Sequence, residues 1–202
     1  MPRRPILILA AIILLLAAGL GSYAWMSRAL HHPQGSGVAL VGGPFSLLNQ
    51  DGKRVTEKDF LGKYMLVFFG YTYCPDVCPT ELQVMTAALD QLGPEADRIQ
   101  PVFVSIDPAR DTPEVLKAYV GNFDPRLVGL TGTPEEIAAI ARAYRVYYAK
   151  AGNGSSSTDY LMDHSAIIYL MGPDGQFVTH MAYTTDAAKL AAELKETLRT
   201  SP

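Results

Sequence analysis

Cys74 and Cys78 are the only cysteines in the chain, four residues apart in Tyr71-Thr72-Tyr73-Cys74-Pro75-Asp76-Val77-Cys78-Pro79-Thr80. All thiol chemistry open to the protein therefore lies in one turn, between an apolar strand-like run and the start of a helix. Pro79 is pre-set for a first helical position, which predicts Cys78 as the N-cap and Glu81 at N3, where a carboxylate complements the helix dipole. Orphan backbone N–H groups at such an end lower thiol pKa values, and the thiolate is both the nucleophile and the metal ligand. Side chains four apart on a turn have Cβ atoms about 5–6 Å apart. A metal can bridge that gap, and a small adjustment permits a disulfide.

Three uses of the pair compete. A purely structural disulfide would close so short a loop that it contributes only about 2 kcal/mol, a poor staple for a domain with its own core. A dithiol oxidoreductase commonly has two residues between its cysteines; here there are three, which favours ligation. Two soft thiolates select Cu(I) or Zn(II) over Mg(II) and Ca(II). A third ligand would come from the four histidines. His31 and His32 lie in a polar linker and read as solvated. His180 lies within a strand, where a surface or core role is the simpler reading. His164, in Tyr160-Leu161-Met162-Asp163-His164-Ser165, stands just before a hairpin, either as a structural residue or as a copper ligand. Asp163 either orients that ring from behind or is a solvated turn carboxylate. Met171 and Met181 read as core packing.

These residues need a scaffold. Asp51-Gly52 marks a hairpin between residues 44–48 and 54–56. Residues 64–70 (Tyr-Met-Leu-Val-Phe-Phe-Gly) form an apolar run suited to a strand buried on both faces. A helix is expected over 79–92, a second buried strand over 101–106, and helices over 113–123 and 134–143. The last of these opens with the capping box Thr133-Pro134-Glu135-Glu136. A short strand over 145–150 leads to a Gly- and Ser-rich loop at 152–158. An antiparallel hairpin over 166–171 and 176–182 follows, then a helix from about 186 to 199. The order predicts an α/β, thioredoxin-like fold with a central mixed sheet flanked by helices and extra helical turns in the middle. In that layout the start of the first main helix meets the loop entering the second hairpin, so Cys74 and Cys78 meet Asp163 and His164.

The N-terminus adds an expected anchor. Residues 6–26 carry no charge, and a helix of that length spans roughly the 30 Å of a bilayer core. Arg3 and Arg4 precede it, which keeps that end in the cytoplasm. A cleaved signal peptide is the rival, with Ser22 and Ala24 as a small-x-small site, but the apolar run exceeds the usual length of a signal-peptide core. The expected division is a cytoplasmic tip and transmembrane helix at 1–26, a linker at 27–43, and the α/β domain at 44–202. The segment lacks the Arg- and Ser-rich pattern of a transit peptide, so a bacterial inner membrane with a periplasmic domain fits best. The net charge of −3, with no basic stripe, argues against a nucleic-acid partner. A thiol peroxidase is disfavoured, because the Pro-x-x-x-Thr-x-x-Cys arrangement is missing.

The residues resemble those of the Sco/SenC copper-delivery proteins of cytochrome c oxidase assembly across roughly residues 41–199. The resemblance is carried by Gly43-Pro44-Phe45, by the segment from Phe69 to Pro79, and by Val104-Ser105-Ile106-Asp107-Pro108-Ala109-Arg110-Asp111. Leu130-Thr131-Gly132-Thr133 and Asp163-His164-Ser165 complete it. It implies a thioredoxin-like fold with copper, as Cu(I) or Cu(II), held by Cys74, Cys78 and His164. It also implies metallation of the dinuclear copper site of oxidase subunit II, by copper transfer, by reduction of that site's cysteines, or both. A binding protein rather than an enzyme is expected, with a thiol–disulfide reductase using Cys74 and Cys78 as the alternative. Other periplasmic copper carriers and thiol reductants are further candidate partners. Met162 departs from the family, which more often has a small β-branched residue there.

Overall fold

The computed structural model describes residues 19–22, 41–151, 160–183 and 186–200. The chain divides into two units, Met1–Ala39 and Leu40–Pro202. Of the first, only residues 19–22 are described, as a helical turn. The rest of the expected anchor at 6–26, the linker up to residue 40 with His31 and His32, and the loop at 152–158 lie outside the described residues. Among the described residues no helix is long and apolar enough to cross a membrane.

The second unit runs β1 (Ser46–Asn49), β2 (Arg54–Thr56), β3 (Tyr64–Gly70), α1 (Val77–Leu92), β4 (Ile99–Ser105), α2 (Pro113–Val120), β5 (Val128–Thr131) and α3 (Pro134–Ala143), then β6 (Tyr148–Ala151), β7 (Leu161–His164), β8 (Ile167–Met171), β9 (Phe177–Ala182) and α4 (Ala187–Thr200). Seven strands make one mixed sheet in the order β2-β1-β5-β4-β3-β8-β9, and β6 with β7 makes a separate two-stranded ribbon. β3 pairs parallel with β4 and antiparallel with β8. It is buried at every position, as its unbroken apolar run predicts for a strand covered on both faces. β4 and β5 are also parallel. Helices flank the sheet: α1 packs against α4, α2 against β5, and α3 against β1. This is the expected thioredoxin-like sandwich, and Phe68, Phe69, Phe103, Leu82, Met85 and Leu89 fill its core.

Local chemistry sets the element ends. Gly52 takes a φ of 72° in the β1–β2 turn, where a side chain would be strained. Thr133 caps α3 as a full capping box: its hydroxyl accepts from Glu136 N at 3.3 Å and its own N–H donates to Glu136 Oε2 at 2.9 Å.

The structure differs from expectation in five places. α1 starts at Val77 with Asp76 as its N-cap, two residues earlier than Pro79 suggested. The first-turn amides have no intrahelical partner, so a proline is tolerated at any of those positions and does not mark the first. Cys78 is therefore inside the first turn, and Glu81 is no exposed dipole partner but a buried residue, 1% exposed. α2 ends at Val120, short of residue 123. β5, four residues with a glycine, stands between α2 and α3, where no strand was expected between the two helices. β6 begins only at Tyr148, because Arg145 leaves α3 with a φ of 57°. β7 makes β6 half of a ribbon instead of a lone strand.

Candidate metal centre

The centre forms where β3 ends. Gly70 closes the strand, and Cys74 N donates to Tyr71 O at 3.2 Å, folding the chain back into α1. Cys78 N, in the first helical turn, donates to Cys74 Sγ at 3.4 Å, an orphan helix amide spent on a sulfur. A Cβ at position 70 would lie 2.7 Å from Cys78 Sγ and 2.8 Å from Phe103 Cε2. The absent side chain is what lets the Cys78 sulfur seat against the strand.

His164 ends β7 and reaches the same place. Its Nε2 is 3.5 Å from Cys78 Sγ. The donor atoms of Cys74, Cys78 and His164 all lie within 4.8 Å of one another, so the structure brings together the three residues named from the sequence. On the other side of the ring Nδ1 is 3.2 Å from Ser165 O. A carbonyl only accepts, so Nδ1 donates to it, and Nε2 is the ring nitrogen turned toward the sulfurs. Asp163 is exposed, and the Ser165 carbonyl rather than that carboxylate orients the ring. Phe68 and Tyr71 stand edge-on to the imidazole, each with ring centroids 6.1 Å away.

The two sulfurs are free thiols, Cys78 buried and Cys74 half-buried. Their environments drive them apart. The Cys78 thiol donates to the Cys74 sulfur and, aided by His164 and by the Asp76 and Cys78 amides, lowers the Cys74 pKa to about 3 against the cost of burial. Cys78 goes well above the ordinary thiol range, because its proton is held on Cys74, it is buried, and Cys74 repels a second negative charge. The result is a thiolate beside a thiol. Two sulfurs and one imidazole, without a carboxylate, suit copper or zinc and not a hard cation. A cleft opens over this set, lined by Pro75, Leu161, Met162 and Tyr183.

The other sulfur and imidazole candidates lie elsewhere. His180 is exposed on β9 and stacks on Phe177 at 6.2 Å. Met171 and Met181 are core residues, as expected, and Met162 is buried with them. Sequence reasoning missed Asp111, which is fully buried. It accepts from Thr72 N at 3.1 Å, Thr72 Oγ1 at 2.6 Å and Ser105 Oγ at 2.6 Å, pinning the loop that carries Cys74. Burial raises its carboxyl pKa. Its only signal was a charged run, Asp107 to Asp111, directly after a buried strand.

Comparison with known proteins agrees with this geometry. The SCO1/SenC family model matches residues 33–199. The mitochondrial protein SCO1 homolog of Homo sapiens is 46% identical over 165 residues, 81% of this chain and 54% of that protein. The chain thus spans about half the length of such curated relatives. Copper-bound ScoI of Arabidopsis thaliana superposes with a TM-score of 0.75 at 46% identity, over 80% of this chain and 99% of that one. BsSco, described as a member of the Sco family of cytochrome c oxidase assembly proteins with a disulfide switch, superposes with a TM-score of 0.62 at 25% identity, over 80% and 95% of the two chains. On the extent of the family match and the identity to these relatives, the chain belongs to the SCO1/SenC family.

Proposed function

We propose that this chain is a copper metallochaperone that binds copper through Cys74, Cys78 and His164 and passes it to the dinuclear copper site of cytochrome c oxidase subunit II. The observation that carries this reading is the convergence of two sulfurs and an oriented imidazole within 4.8 Å. Copper in the related ScoI structure supports it, as does the membership of BsSco in a family of cytochrome c oxidase assembly proteins. Copper is cargo here. It arrives and leaves by ligand exchange, without chemical turnover. On this reading residues 6–26 hold the chain in a bacterial inner membrane with a cytoplasmic N-terminus, and residues 44–202 work in the periplasm.

Copper titration of the purified chain tests it. Binding near one equivalent is expected to collapse in Cys74→Ser and to weaken strongly in His164→Ala. Unchanged affinity in the His164 variant would remove that residue from the site and end the three-ligand reading.

One observation favours a second reading. The half-buried Cys74 thiolate beside the Cys78 thiol is the arrangement of an attacking sulfur and a resolving one. A thiol–disulfide reductase acting on the oxidase cysteines would need both sulfurs and not the imidazole. In a deletion strain, rescue of the oxidase by added copper points to delivery, and rescue by a small thiol points to reduction.

A further inference from the structure

Arg110 belongs to no ligand set, yet it touches both halves of the metal centre. It follows β4 in the turn that begins at Asp107. Its Nε donates to Asp107 Oδ2 at 2.5 Å, and its Nη1 donates to the Tyr160 carbonyl at 2.9 Å. The guanidinium carbon lies 3.7 Å from the ring centroid of Tyr160, 4.6 Å from that of Tyr73 and 5.8 Å from that of Tyr71. Tyr160 in turn donates its hydroxyl to Asp107 Oδ1 at 2.7 Å. The ion pair is largely removed from water, with side-chain exposures of 12% for Arg110 and 4% for Asp107. A cation so placed is strongly tied to both its carboxylate and its aromatic neighbours.

Those neighbours are the two chain segments that carry the ligands. Tyr71 and Tyr73 stand in the loop that leads to Cys74. Tyr160 immediately precedes β7, which ends at His164. Tyr71 closes the link by accepting from Met162 N at 3.1 Å through its hydroxyl, with its ring edge against His164. The ribbon of β6 and β7 is not part of the main sheet. β8, which begins three residues after His164, is paired with β3, whereas on the side before His164 the link to the thiol loop runs through side chains.

We propose that Arg110, locked by Asp107, is a positioning residue for the third ligand: it clamps the thiol loop to the His164 strand and so governs the nitrogen-dependent part of copper binding. The inference rests on the three-ligand reading above. Two thiolates suffice to hold Cu(I), whereas Cu(II) draws on the imidazole. Lysine replaces the clamp only in part, keeping a charge for Asp107 but lacking the planar fork and the flat face that stacks on the rings.

The test is made on the full chain, with His164→Ala as the reference for a lost nitrogen ligand. Electron paramagnetic resonance of the Cu(II) form reads nitrogen coupling, and competition with chromophoric chelators reads Cu(I) and Cu(II) affinities. Arg110→Ala is expected to lose nitrogen coupling and weaken Cu(II) binding by about tenfold or more, while Cu(I) affinity stays close to that of the unmodified chain. Arg110→Lys and Tyr160→Phe, which disturb the core less, are expected to move Cu(II) affinity in the same direction by less. They decide the matter if the alanine variant does not fold. Retained nitrogen coupling in folded Arg110 variants overturns the proposal, and so does an equal loss of Cu(I) and Cu(II) affinity, which would mark general loosening. If His164→Ala itself keeps the nitrogen coupling of the unmodified chain, the ligand assignment fails instead.

Discussion

Cys78 keeps its sulfur inside the protein only because Gly70 offers no Cβ to block it. The backbone of Gly70 is not left-handed, so an alanine there would bring crowding without conformational strain. The crowded atoms are a ligand sulfur and a core ring, Phe103, and neither has free space behind it. Gly70→Ala is therefore expected to destabilise the metal-free protein by about 1–3 kcal/mol and to weaken copper binding by displacing one of its ligands. Urea unfolding and a copper competition titration measure the two effects, and an unchanged Cu(I) affinity would show that Cys78 tolerates displacement. Cys74 and Cys78 were legible in the sequence because their chemistry is carried by residue type, whereas His164 was left open by residue type and entered the ligand set through the family resemblance. Gly70 was not legible, since a glycine at a strand end reads equally well as an ordinary stop. Asp111 and Arg110 were not legible either, because their partners lie far along the chain and only folding brings them together.

α1 shows how one element carries a cost along with its function. Its buried face includes Cys78, Glu81, Leu82 and Met85, so a carboxylic acid sits one turn beyond the ligand. Among the described residues Glu81 Oε1 has no hydrogen-bond partner, and burial raises the Glu81 pKa to about 7 from an ordinary 4.5. The folded chain then holds a proton that the unfolded chain releases. The contribution of Glu81 to stability is full below about pH 4.5 and is lost as the pH rises through about 7. Glu81→Gln cannot ionise. The stability of that variant relative to the unmodified chain is expected to improve between pH 5 and pH 8 by on the order of 2 kcal/mol. Urea melts of the metal-free proteins at both pH values check this, and a constant difference would refute it. Elements with strong periodicity or caps, such as α3 behind Thr133 and the apolar β3, could be read from the sequence. β5 and β7 could not. Each is four residues long, too short for alternation to declare itself, and each is a strand because of what it pairs with.

At the scale of the molecule, Leu40–Pro202 is one unit. It contains every ligand of the metal centre, and the buried core runs from Phe45 to Leu198. Among the described residues, every member of that core comes from the second unit. A chain lacking residues 1–39 is expected to unfold in a single transition and to bind Cu(I) as tightly as the full chain. A lower urea midpoint or a weaker Cu(I) affinity in the truncated form would mean that the first unit contributes more than attachment.

The unequal burial of the two sulfurs also imposes an order in time. Cys78 is walled in by β3 and α1, while Cys74 and His164 border the open cleft. On the proposed function, an ion held by all three would be reached through that cleft. An incoming donor approaching by the same cleft would meet the ion on the side of Cys74 and His164, so exchange there would hand it over without a bare intermediate. The contact at the back, to the buried Cys78, would then be the last to break. Loading would reverse the sequence, with the half-exposed Cys74 meeting the ion first and Cys78 giving its proton to solvent through the cleft as it became a ligand.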